Sequence, residues 1–91
     1  MNEKELFEKN NELASEFSRF IIANPEIGKK LPADSELVFL VDSNPELTRA
    51  NMELSRRIRK EGGKVVFIHA KSILPKEFCR LVEPKIELAA K

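Results

Sequence analysis

The sequence is poor in the residues on which most protein chemistry depends. It holds one cysteine, one histidine, three glycines and no glutamine. With Cys79 alone, no internal disulfide can form, and a zinc site built from several cysteines is excluded. One histidine beside one cysteine is equally poor material for any other metal centre. The glycines stand at 28, 62 and 63, so neither GxGxxG nor GxxxxGK[ST] occurs and no familiar phosphate cradle is present. The longest apolar run, residues 37–41 (LVFLV), is far short of the roughly 20 residues a membrane-spanning helix needs. The opening MNEKELFEK has no apolar stretch behind a basic start and does not read as a secretory signal. These absences leave no metal, no cofactor and no membrane to expect, and the cytoplasm as the expected compartment.

What is present is ordinary for a globular chain. Ninety-one residues make one expected α/β domain over 1–91, with 42% hydrophobic residues. Charged residues reach 34% but nearly cancel, leaving a net of +1, which argues against a dedicated DNA-coating protein. Glu and Lys dominate the charges. That bias, with Gln absent, is thermophile-like, although Asn occurs six times.

Residues 3–23 predict an amphipathic helix, with Leu6, Leu13, Phe17, Phe20 and Ile21 recurring at three- and four-residue steps and Phe7 and Ala14 widening the stripe. Glu5, Glu8, Glu12, Glu16 and Arg19 fall on the opposite side. Asn10 lies inside the apolar arc, so it is expected at the core margin or at an interface. Asn2 and Glu5 form a capping pair by spacing. Asn24-Pro25 ends the helix, and Pro25 opens a short turn that stops near Gly28.

Residues 36–42 (ELVFLVD) predict a strand covered on both faces, because its centre is continuously apolar. Ser43 or Asn44 then caps a helix with Pro45 in its first turn and Glu46 at its positive end. That helix runs to about Glu61, burying Leu47, Ala50, Leu54 and Ile58, and Gly62-Gly63 stops it. Residues 64–70 (KVVFIHA) form the second strand. Two apolar strands joined by such a helix predict parallel pairing with a right-handed crossover. The fold class is therefore α/β: a helix, then a right-handed βαβ unit with a small parallel sheet. Residues 79–83 are a candidate third edge strand, with Pro84 tolerated behind it. The tetrads at 24–27 (NPEI) and 44–47 (NPEL) share helix-start chemistry, and their flanks are dissimilar.

The segments ELFEKNNELASEFSRF, ELVFLVDSNPEL and LVEP together resemble a small family of uncharacterised bacterial and archaeal single-domain proteins, classed as a domain of unknown function. The resemblance covers nearly the whole chain. It implies a free-standing domain and assigns no site residues.

Two constellations are candidates for function. Ligands of open parallel sheets bind outside the carboxyl ends of the strands. Asp42, Ser43, Asn44, His69 and Lys71 all fall there, with a helix start that offers N–H groups to an anion. Their bland explanation is helix-start and strand-end structure, and Pro45 removes one of the N–H groups. The second constellation is basic. Arg49, Arg56, Arg59 and Lys60 share the outward face of the second long helix, with Met52 among them and Arg57 at the flank. Charge is lopsided along the chain: residues 1–45 hold five basic and nine acidic groups, residues 46–91 eleven and six. Such a face suits an acidic protein partner; no aromatic residue interleaves it for base stacking, which disfavours nucleic acid. The bland explanation is a solvated face whose late cations complement the helix C-terminus. A nucleophilic pair of Cys79 and His69 is formally available, but Cys79 between Phe78 and Leu81 reads as a small buried apolar residue. Ile22 and Met52 are expected to be exposed apolar positions. No pattern assigns a reaction. The sequence points first to a non-enzymatic interaction or oligomerising module, most simply a twofold dimer. Behind it come a small-molecule or anion site at the strand ends and an RNA-associated accessory role.

Overall fold

A computed structural model of the chain describes residues 1–73 and 81–89. Helix α1 (Glu3–Ala23) begins at Asn2, whose side-chain oxygen accepts from the Glu5 N–H at 2.8 Å while its amide donates back to the Glu5 carboxylate. The first bond satisfies a backbone N–H that a bare helix start leaves open, and the second joins the two side chains. The one-turn helix α2 (Pro25–Gly28) follows, then strand β1 (Ser35–Val41). Helix α3 (Pro45–Lys60) is capped by Asn44, whose side chain accepts from the Leu47 N–H. Both NPE tetrads thus start helices. Gly62, at φ 89°, turns the chain into β2 (Lys64–Ala70).

β1 and β2 pair in parallel, from Ser35 opposite Lys64 to Val41 opposite Ala70. The third strand comes later than residues 79–83. It is β3 (Lys85–Leu88), antiparallel to β2 on the side away from β1, with His69 opposite Lys85 and Val66 opposite Leu88. Pro84 stands just before it, where its missing N–H costs no ladder bond. Leu81 forms an isolated bridge to Ile73. Residues 74–80, and with them Cys79, lie outside the described residues.

Two apolar clusters hold the sheet. The first joins Leu13 and Phe17 of α1 to Phe39, Val41, Val66 and Ile68. Phe17 is its pivot, edge-on to Phe39 at 6.1 Å and stacked near Phe20 at 6.2 Å between ring centroids. The second cluster joins Val38, Leu40, Val65 and Phe67 to Met52 and Ile58 of α3. Met52, expected at the surface, is therefore partly buried.

Helix α3 lies along the outer edge of β1. Thr48 Oγ1 accepts from the Val41 N–H and donates to the Val41 carbonyl, both at 2.9 Å, and Asn51 Nδ2 donates to the Phe39 carbonyl at 2.8 Å. These are the strand groups that point away from β2, so the helix side chains take the place of a neighbouring strand. The contact also explains why α3 buries Asn51 and Ser55 more deeply than the Ala50 and Leu54 expected on its inner stripe.

Candidate functional site

Three surfaces carry features beyond the packing. At the carboxyl ends of the strands, a pocket of about 390 Å³ is lined by Asp42, His69 and Lys71 together with Glu83, Lys85 and Glu87. The first three are sequence candidates that the fold brings together. Ser43 and Asn44 are not in the lining: the Ser43 N–H donates to the Lys71 carbonyl, and Asn44 serves as the helix cap. Glu83, Lys85 and Glu87 have no signal in the sequence until β3 is placed at its register, which sets Lys85 opposite His69 and Glu87 two positions along.

The pocket is internally matched. His69 Nε2 lies 2.6 Å from Glu87 Oε1, and Lys71 pairs with Glu83. The hydrogen bond and charge of Glu83 raise the Lys71 amine above its ordinary range, and Lys71 in turn holds the Glu83 carboxyl below its own. Glu87 could orient the imidazole for proton transfer, but no hydroxyl or thiol is among the described lining residues, so nothing there supplies a nucleophile. Among the described residues, no group of three His, Cys, Asp or Glu side chains is arranged to hold a metal ion.

A second recess, of about 710 Å³, opens at the other end of the strands. Arg56, Arg59 and Lys60 line it, joined by Lys64, which the sequence did not single out. Arg49 is exposed on α3 but is not in this lining. Arg56 also pairs with Glu53 one turn back.

The third surface is the outer side of α1. Phe7 is 67% exposed and Ala14 is exposed, whereas Glu16 is only 8% exposed. The apolar arc of the sequence and the buried arc of the helix therefore do not coincide. The large side chains Leu13 and Phe17 set the roll by filling the first cluster, and Asn10 locks it by pairing with Asn51. That roll turns Phe7 and Ala14 outward beside Ile22, which is 80% exposed.

Residues 5–84 match a family of unknown function, DUF5647. The chain belongs to this family. No curated protein and no solved structure matches it. The match runs from within α1 to the residue before β3, so it takes in Asp42, His69, Lys71 and Glu83 of the strand-end pocket but not Lys85 or Glu87, and it carries no assigned activity. Among the described residues, no helix is long and apolar enough to cross a membrane.

Proposed function

We propose that the protein is a non-enzymatic module that works as a twofold dimer, joined through the outward stripe of α1. The observation that carries this reading is the roll of that helix, which exposes Phe7 and Ile22 while burying Glu16. Phe7, Asn11, Ala14, Ser18 and Ile22 are all exposed and fall within an arc of about 80°. None is charged. An uncharged strip with large apolar residues at both ends and small ones between is unusual on a surface this rich in Glu and Lys.

The strip is also self-complementary. Phe7 and Ile22, and likewise Asn11 and Ser18, are spaced evenly about the peptide bond between Ala14 and Ser15. A twofold axis passing there runs two copies of α1 antiparallel, with Phe7 against the partner's Ile22 at each end and Ala14 near the centre, where small side chains allow close approach. Glu8 and Arg19 flank the strip on one side, and the same axis brings Glu8 of each copy toward the partner's Arg19. The sheet offers a partner less. Both edges of β2 are paired within the chain, and the Phe39–Val41 edge of β1 is occupied by α3.

The strand-end pocket supports a ligand-binding role less well, because its lining sets three carboxylates against two lysines, with Glu83 already paired to Lys71 and Glu87 to His69. Light scattering behind a sizing column, at tens of micromolar protein, tests the dimer. We expect about twice the 10.4 kDa chain mass, reduced to the single-chain mass in Phe7→Glu/Ile22→Glu with the circular dichroism spectrum unchanged. A single-chain mass for the unaltered protein overturns the dimer. A dimer that survives the double substitution overturns the α1 interface.

A further inference from the structure

We propose that the outer edge of β3 pairs antiparallel with the same edge of a second copy, continuing the sheet across a twofold axis at Ile86. This second contact goes beyond the α1 strip and does not depend on it. The register of β3 on β2 decides which backbone groups are free. The Ala89 N–H donates to the Val65 carbonyl at 3.1 Å, so Glu87 and Lys85 also turn their N–H and C=O groups toward β2. Ile86 and Leu88 therefore turn theirs outward, and among the described residues no strand pairs with that row. Elsewhere the sheet is closed: β2 is paired on both sides, and α3 takes the Phe39–Val41 edge of β1. An open row of strand groups is a template for another strand.

The strand's own sequence selects a second copy as the occupant. Outward-facing residues pair only with outward-facing residues, so the possible registers move in steps of two. With Ile86 opposite the partner's Ile86, Lys85 falls opposite the partner's Glu87, and Glu87 opposite the partner's Lys85. Sliding one step in either direction sets Glu87 against Glu87 or Lys85 against Lys85, and like charges directly opposite are destabilising. In the favoured register the charges occupy positions without ladder hydrogen bonds, where side chains approach most closely. The other face of the joined strands is apolar throughout. Leu88, 59% exposed in the single chain, meets the partner's Pro84, and Ile86, packed on the first cluster, meets its own copy at the centre.

Backbone and charges both suit the contact. The two Ile86 residues exchange N–H to C=O bonds, and each Leu88 N–H reaches the partner's Pro84 carbonyl. Pro84 has no N–H to offer in return, which is tolerated at the end of an edge strand. Lys85 forms no ion pair among the described residues, and its neighbour Glu83 is held by Lys71. Glu87 is exposed and commits Oε1 to His69, which leaves Oε2 for the partner's Lys85.

Amide NMR tests the contact in the Phe7→Glu/Ile22→Glu protein, which takes the α1 strip out of the reading. The strand is short and the contact correspondingly weak. We expect the Ile86 and Leu88 amides to shift saturably as protein rises from about 50 μM to about 1 mM, with the α1 amides in place. Lys85→Glu alone and Glu87→Lys alone should each abolish the shift, because each sets like charges opposite one another. An equimolar mixture of these two variants should restore it, since every facing pair is then opposite in charge. Lys85→Glu/Glu87→Lys in one chain should restore it as well. No concentration-dependent shift, a shift that survives either single charge reversal, or no recovery in both the mixture and the double reversal overturns the proposal. Failure of the α1 contact shows instead in the light-scattering masses at tens of micromolar, where the β3 edges are still apart.

Discussion

Asn10 and Asn51, 41 positions apart, exchange two side-chain hydrogen bonds of 2.9 Å each and so join α1 to α3. Asn51 is 1% exposed, and its amide spends its second hydrogen on the Phe39 carbonyl. One side chain thus ties both long helices to the edge strand. A buried polar group fully satisfied in this way fixes register as well as adding stability.

Replacing Asn51 with leucine leaves both the Phe39 carbonyl and the Asn10 amide without their partner. The expected loss is about 1–3 kcal/mol, read as a lower urea midpoint. Asn10→Ala should cost less, because Asn10 is only partly buried. The double variant should be less destabilised than the two singles summed, with a coupling of roughly 0.5–3 kcal/mol. Strict additivity would show that the pair does not act as a unit.

The two adjacent glycines should fail for different reasons. Gly62→Ala forces a side chain onto a left-handed backbone and should cost about 1 kcal/mol, with open space around the new methyl. Gly63→Ala pushes a methyl into Ile58 and should cost about 1–3 kcal/mol. Adding Ile58→Leu, which removes the Cγ2 branch, to Gly63→Ala should recover part of that loss but none of the Gly62→Ala loss. The reverse pattern would contradict the packing of the turn against α3.

The Lys71–Glu83 pair sets a pH signature. Glu83, held below its ordinary value by Lys71, contributes stability near neutrality that disappears as pH falls through its folded-state value. Lys71, held above its ordinary value by Glu83, contributes until pH rises through its own alkaline folded-state value. The urea midpoint of Glu83→Gln should therefore lie slightly below that of the unaltered protein at neutral pH. The two should converge in strong acid and in molar salt, because both groups are exposed. A gap that persists in molar salt would assign the effect to something other than charge.

The order of elements was readable because it rests on local rules. Asn2 with Glu5, Pro45 after Asn44, and Gly62-Gly63 mark helix ends by chemistry that operates within four residues. The parallel pair was readable because the apolar middles of β1 and β2 demand cover on both faces. The roll of α1 was not readable. Periodicity finds the direction of greatest hydrophobicity, but packing follows side-chain shape, and Phe17 against Phe39 outweighed Phe7. The polar stripe of α3 was missed for a related reason: Thr48 and Asn51 face a strand edge, where hydrogen bonds are wanted rather than apolar area. β3 was too short and too charged to declare itself, and the partners of His69 in the strand-end pocket could not be named without it.

The bonds that α3 makes to β1 are close in sequence as well as in space, 7 positions apart for Thr48 and Val41 and 12 for Asn51 and Phe39. Contacts of such short separation close quickly and need no later part of the chain. During synthesis the apolar strand is made first, and bare edges of this kind are where nascent chains aggregate. The helix that follows closes one of those edges through contacts that need no part of β2. The strand keeps its other side for a neighbour, and the sheet grows in that one direction.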